Sequence, residues 1–225
     1  MKISTDTLSI LKNFAVINEG ILFTPGNVLR TITPAIYAEA TVEESFPKEK
    51  GIFNLANLLS VISLFNDPEL EFGEDALRIA ESDGKAETKY GYAGAGQVSL
   101  PHPKKLKKAP EKVINFKLTE EQFSKIQKAT SLFNKPELMI TSDGSSLRIG
   151  TSNHKNQQGN YFSLVLESEP NGLTCNAVFN KEHFNLLKGS YTGFVAPDYT
   201  VFSNNSGLNL TYYIGLEPTT STFGK

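Results

Sequence analysis

Residues 4–18 read STDTLSILKNFAVIN, and residues 119–133 read TEEQFSKIQKATSLF. Each opens on a hydroxyl side chain suited to cap a helix, Ser4 in one and Thr119 in the other. Asp6 falls in the first turn, where the helix dipole favours an acid. Thr119 with Gln122 makes a capping box. In the first segment Leu8, Leu11, Ala15 and Asn18 share one stripe, with Ile10, Phe14 and Ile17 beside it. In the second, Phe123, Ile126, Thr130 and Phe133 form the stripe, and Lys125 and Lys128 lie on the other side. A shift of 115 positions sets Ser4 on Thr119, Leu8 on Phe123, Leu11 on Ile126 and Ile17 on Leu132.

A second pair follows. NLANLLSVISLF (54–65) and NKEHFNLLK (180–188) are short helical stretches led by Asn54 and Asn180, each preceded by a phenylalanine, Phe53 and Phe179. Here the shift is 126, which also sets Leu58 on Phe184. Between the helices the apolar period falls to two. Strands are predicted at 28–33, 35–42, 76–81 and 85–93, then at 145–152, 161–168, 174–179, 191–196, 199–204 and 208–217. Asp83-Gly84 and Asp143-Gly144 read as hairpin turns. The order helix, strands, short helix, strands therefore occurs twice, which predicts an α+β chain of two tandem domains, residues 1–99 and 118–225.

Between them, residues 100–117 read as an extended linker: PHPKKLKKAPEKVINFK fills 101–117. Its prolines cannot donate ladder hydrogen bonds, and its lysines repel one another. The 225 residues carry 22 Lys+Arg and 24 Asp+Glu, a formal charge of −2. That total hides an uneven distribution. Residues 1–99 hold 8 basic and 14 acidic groups (net −6), 100–117 hold 6 and 1 (net +5), and 118–225 hold 8 and 9 (net −1). A near-neutral sum does not exclude a polyanion partner. Solvation of an extended linker explains its lysines.

The single cysteine, Cys175, excludes an internal disulfide and points to a reducing compartment. The N-terminus lacks the apolar core of a signal peptide, and no apolar run reaches the ~18 residues of a membrane span. A soluble intracellular protein is expected.

Enzyme signatures are missing. His102, His154 and His183 form no ligand pair, and Cys175 has no CxxC or catalytic context. Gly91, Gly94 and Gly96 are spaced GxxGxG, the reverse of the dinucleotide fingerprint, and no helix follows. The carboxylate pairs Glu43-Glu44 and Glu74-Asp75 read as solvated surface charge. No catalytic residue, metal or cofactor is predicted.

The N-terminal residues Lys2, Ser4, Asp6, Leu11, Lys12, Asn13, Phe14, Ala15, Ile17, Asn18 and Gly20 fall in register with the sliding clamps of T-even-type bacteriophages. YAEA (37–40), the spacing of Leu58, Ile62, Ser63, Leu64, Asn66 and Asp67, and the closing YYIGLEP (212–218) extend the resemblance. It implies two clamp-type domains, each with two helices packed on antiparallel sheet, and a closed homotrimeric ring joined head to tail. It implies a processivity factor that encircles duplex DNA without reading its sequence and tethers the replicative polymerase. A clamp loader would open it, and late-transcription factors would use it, in the cytoplasm of the infected bacterial host.

Such a ring needs flexible cations on its helix faces and no base-edge readers. Mapped onto this chain, the DNA-facing set is Lys2, Lys12, Lys125, Lys128, Lys181 and Lys188. Each taken alone is better explained as an ordinary solvated lysine, and only four helices facing one hole make the DNA reading preferable. The resemblance also implies an apolar pocket for partner peptides, formed by Val113, Ile114, Ile214, Leu216 and Pro218 with Ile32 and Ile36. Plain core packing explains those residues one by one just as well. Strand 85–93 is the candidate for pairing across a subunit boundary, or is an ordinary hairpin strand. The competing class is a β-rich virion structural protein, which shares the strands and turns but gives no reason for matched amphipathic helices.

Overall fold

The computed structural model describes residues 1–94, 96–98, 110–153, 160–169 and 171–224. Two compact units result. The first gathers Met1–Thr33 and the described residues from Ala38 to 98. The second gathers Pro34–Tyr37 and the described residues from 110 onward.

In the first unit, α1 (Thr5–Ile17) begins where the Ser4 Oγ accepts from the Thr7 amide at 3.2 Å. Its buried side chains are Thr7, Ile10, Leu11 and Phe14. The seam thus runs along Ile10 and Phe14, and Leu8 and Ala15 at its flank are only half-buried. β1 (Ile21–Phe23) pairs with β4 (Lys50–Ile52), and β2 (Gly26–Ile32) neighbours β3 (Ile36–Phe46). α2 (Leu55–Ile62) follows, capped by Asn54, whose Oδ1 accepts from the Asn57 amide at 2.8 Å. Leu55, Leu58, Leu59 and Ile62 are buried, a helical spacing that turns one apolar face inward. The helix ends at Ile62 rather than at 65, and Leu64 is exposed. β5 (Pro68–Phe72), β6 (Ala76–Glu81) and β7 (Glu87–Gly91) form an antiparallel sheet in that order. Gly84, at φ +72°, makes the turn between β6 and β7. Phe23, Phe46 and Phe72 meet at ring-centroid distances of 4.7, 5.5 and 5.8 Å and centre the core.

The second unit opens with β8 (Ile114–Leu118) and α3 (Glu120–Phe133). Thus Ile114–Lys117, read from sequence as the end of the linker, are ladder residues, while 101–109, with His102, lie outside the described residues. His154 lies outside them too. The capping box is present: the Thr119 Oγ1 accepts from the Gln122 amide, and the Gln122 Oε1 from the Thr119 amide. Phe123, Ile126 and Ala129 face inward, and Leu132 is exposed. β9 (Glu137–Asp143), β10 (Leu147–Ser152), β11 (Ser163–Leu166), β12 (Thr174–Asn180) and β16 (Thr222–Gly224) form one antiparallel sheet, ordered β11-β10-β9-β12-β16. β13 (Tyr191–Val195), β14 (Tyr199–Asn204) and β15 (Asn209–Gly215) continue from β8 as β8-β13-β14-β15. The Gly215 amide donates to the Ala35 carbonyl at 2.8 Å, which counts residues 34–37 with this unit.

The predicted helix 180–188 is a single 3-10 turn, Lys181–Phe184. Two buried tyrosines explain the early stop. The Leu187 amide donates to the Tyr212 hydroxyl at 3.2 Å, and the Tyr191 hydroxyl donates to the Leu187 carbonyl. The backbone groups that would carry the helix onward are already satisfied.

Candidate nucleic-acid interface

The repeat shows most clearly on the helix side of each unit. In the first, a shallow groove of about 350 Å³ is lined by Lys12, Ala15 and Val16 of α1 and by Ala56, Leu59, Ser60 and Ser63 at α2. In the second, a groove of about 350 Å³ is lined by Gln127, Thr130 and Ser131 of α3 and by Lys181, Glu182, Phe184 and Asn185. The shift of 115 carries Lys12, Ala15 and Val16 onto Gln127, Thr130 and Ser131. The shift of 126 carries Ala56 and Leu59 onto Glu182 and Asn185. Two positional registers read from sequence thus converge on one structural feature in each copy.

The charges on the two helix layers differ. α1 carries Asp6 and Lys12, and α2 carries no charge. Lys12 is exposed and holds no ion pair among the described residues. Lys2 is exposed and paired with Asp67, and it precedes α1 rather than lying on it. On α3, Lys125 Nζ lies 2.6 Å from Glu121 Oε1, one turn earlier. Lys188, just past the 3-10 turn, lies 3.0 Å from Glu120 Oε1. Lys128 is exposed and forms no ion pair among the described residues. Lys181 donates to the Asn134 side chain at 3.0 Å. Sequence reasoning selected the lysines and missed their carboxylate partners. The Glu121–Lys125 spacing of i, i+4 was a legible signal; the Glu120–Lys188 approach required the fold.

The apolar residues assigned to a peptide pocket separate by burial. Ile36, Ile114 and Ile214 are buried core, Val113 and Leu216 are half-buried, and Pro218 is exposed. Within the second unit the chain around them is tied down. The Leu216 amide donates to Asp198 at 3.0 Å, the Glu217 amide to Val178 at 2.8 Å, and the Asn171 side chain to the Val113 carbonyl at 2.9 Å. Ile32, in the first unit, is half-buried at the end of β2.

β7 is an edge strand whose only ladder partner among the described residues is β6. Beside it, exposed Phe53 lines a cavity of about 370 Å³ with Asn54, Tyr90, Tyr92 and Gln97. Sequence reasoning treated Phe53 as the twin of Phe179. Phe179 is fully buried, whereas Phe53 is 57% exposed, so the repeat is kept in the chain path and not in that side chain's environment.

Groups with reactive potential are held quiet. Burial raises the Cys175 thiol to about 11. Burial lowers His183, and the charges of Glu217 and Glu182 oppose the shift. Among the described residues no cluster of three or more His, Cys, Asp or Glu is placed to hold a metal, and no helix is long and apolar enough to cross a membrane.

Solved structures share the architecture. Proliferating cellular nuclear antigen from Entamoeba histolytica superposes with a TM-score of 0.66 at 13% identity, covering 93% of this chain and 94% of its own. The DNA polymerase III subunit beta sliding clamp from Bartonella birtlesii gives 0.72 at 12% identity, over 96% of this chain and 64% of its own. The fold is that of a sliding clamp. In sequence, the family model for DNA polymerase processivity factor matches residues 4–87. The sliding clamp of Vibrio phage KVP40 is 26% identical, over 96% of this chain and 99% of its own. That of Enterobacteria phage T4 is 37% identical over 86 residues, which is 36% of this chain and 38% of its own. The chain is thus similar to the sliding clamps of phages KVP40 and T4.

Proposed function

We propose that this chain is a DNA-encircling processivity factor that tethers a replicative DNA polymerase to duplex DNA. The observation that carries the reading is the match of residues 4–87 to the processivity-factor family on a chain whose two units repeat one helix-and-sheet plan. The helix layers offer short polar side chains and scattered lysines with no base-reading constellation. That suits retention by topology, with phosphate contacts that are sequence-independent.

Self-assembly into a homotrimeric ring would close head to tail through sheet edges. The open ladder edge of β7, with exposed Phe53 beside it, is a surface such closure would cover. Loading by an ATP-driven clamp loader, service to late-transcription factors, and a place in the host cytoplasm complete the reading. Partner tails would enter near Val113, Leu216 and Pro218, the members of that set in the second unit that are not buried core. Residues 1–99 and 118–225 would act as the two domains, with a linker from 100 that ends before β8 (Ile114–Leu118).

Primer extension by the cognate polymerase on a primed circle tests this, with and without the protein and a loader. Long products only when both are present support the reading. Product length indifferent to the protein, together with a monomeric mass at micromolar concentration, would overturn it.

A further inference from the structure

In the helix layer of the second unit, two of the cations are paired with the layer's own carboxylates. Glu120 and Glu121 occupy the first turn of α3, where the helix dipole favours them. Lys125 reaches back to Glu121 at 2.6 Å, and Lys188 reaches across to Glu120 at 3.0 Å. All four side chains are more than half exposed. The lysines of α1 and α3 that hold no such partner among the described residues are Lys12 and Lys128. α3 carries two acids and two bases, and a surface meant to grip a polyanion has no use for glutamates beside its lysines. A surface meant to slide does.

We propose that Glu120 and Glu121 act as positioning residues that compete with DNA phosphates for Lys188 and Lys125, limiting how firmly the helix layer holds a duplex. The inference rests on the proposed duplex contact and deepens it. An exposed ion pair contributes little, so a lysine can leave its carboxylate for a phosphate and return at little cost. Each phosphate so contacted then has the freed carboxylate close by, and their repulsion keeps the contact brief. Lys12 and Lys128 have no such alternative and form the steadier contacts.

The test replaces both carboxylates while keeping the Thr119–Gln122 capping box, which uses neither of them to hold the helix start. Binding of the full-length wild type and of Glu120→Gln/Glu121→Gln to a short linear duplex is followed by fluorescence anisotropy across a salt series. The double variant should bind more tightly, and its log–log salt slope should steepen by about 0.9 for each lysine released. Adding Lys125→Ala and Lys188→Ala should remove that gain. A slope equal to wild type overturns the proposal. So does a steeper slope that survives removal of both lysines, since the effect would then be general charge and not these pairs. A separate measurement, release of preloaded wild type when a circular duplex is linearised, reads the encirclement itself. Its failure with the slope change intact would retain the competition at a duplex contact that does not encircle.

Discussion

Glu44 accepts from the Thr7 hydroxyl at 2.5 Å and also from the Ser4 amide, so a β3 carboxylate closes the N-terminus of α1. Burial alone would raise its pKa, but the hydrogen bonds from Thr7 and Ser4 outweigh burial and hold it below the ordinary glutamate value. The helix is thereby fixed by a residue 37 positions away, and not by its own cap alone.

That contact predicts a pH dependence. Because the folded-state value is depressed, the stabilisation is fully present above the ordinary glutamate pKa and is lost as pH falls through the lower folded one. Glu44→Gln should cost about 1–2 kcal/mol near neutrality, lowering Tm by roughly 2–8 °C. The difference from wild type should shrink in acid. Thermal melts from neutrality to about pH 3 check this; a constant difference at every pH would remove the charge from the account.

The buried tyrosines that cut short the second copy's helix give a second prediction. Tyr212→Phe removes the hydroxyl that accepts from the Leu187 amide at 3.2 Å, deep among Tyr191, Phe202 and Phe184. An amide left unpaired costs about 1–3 kcal/mol. Denaturant unfolding should show a lower midpoint with an unchanged slope, and hydrogen exchange at Leu187 should accelerate.

Much of the fold was legible because it is local. Ser4, Thr119, Asn54 and Asn180 each announce a helical start, and each caps one. Period-two runs placed ten of the strands. β5 and β8 were missed although PELEF and INFKL alternate locally, and β9 was missed as well; the rest of what escaped depends on interactions distant in sequence or on elements too short to read. The 180–188 segment has helical spacing, yet tyrosines from β13 and β15 claim its backbone. Short strands such as β1, β4 and β16 carry only three residues each, too few to show a period. At the candidate interface the lysines were visible as exposed positions. Their partners were less so, because the Lys188–Glu120 pair spans 68 residues and no helical spacing encodes it.

The helix-layer charges predict unequal lysines. Lys12→Ala with Lys128→Ala should flatten the salt dependence of duplex binding by about one log–log unit for each phosphate that is no longer neutralised. Lys125→Ala alone should do less, since that side chain already spends part of its time on Glu121. Equal effects from all three would place Lys125 on DNA as firmly as the others.

Just past the end of β15, Leu216→Asp tests the peptide pocket. Leu216 is half-buried, so the acid remains partly solvated, and the Leu216 amide bond to Asp198 involves backbone that the substitution leaves in place. Stimulation of the polymerase should be lost while the solution mass of the assembly stays unchanged. Retained stimulation would move the docking surface elsewhere.

Cys175 offers a probe of the second unit's integrity. Its thiol sits buried on β12 against the Ile140 carbonyl, 3.7 Å away, and burial lifts its pKa to about 11. Only the thiolate reacts quickly with disulfide reagents, so at pH 8 the folded chain should be modified slowly and the denatured chain fast. Within the folded protein the rate should rise with pH towards 11 or follow the opening of the β9–β12 ladder. Adding denaturant below the unfolding midpoint distinguishes these routes: a rate that climbs with denaturant at fixed pH reports ladder opening, and a rate indifferent to it reports ionisation in place. Prompt stoichiometric modification of the native chain at pH 8 would show that the thiol is not buried as described.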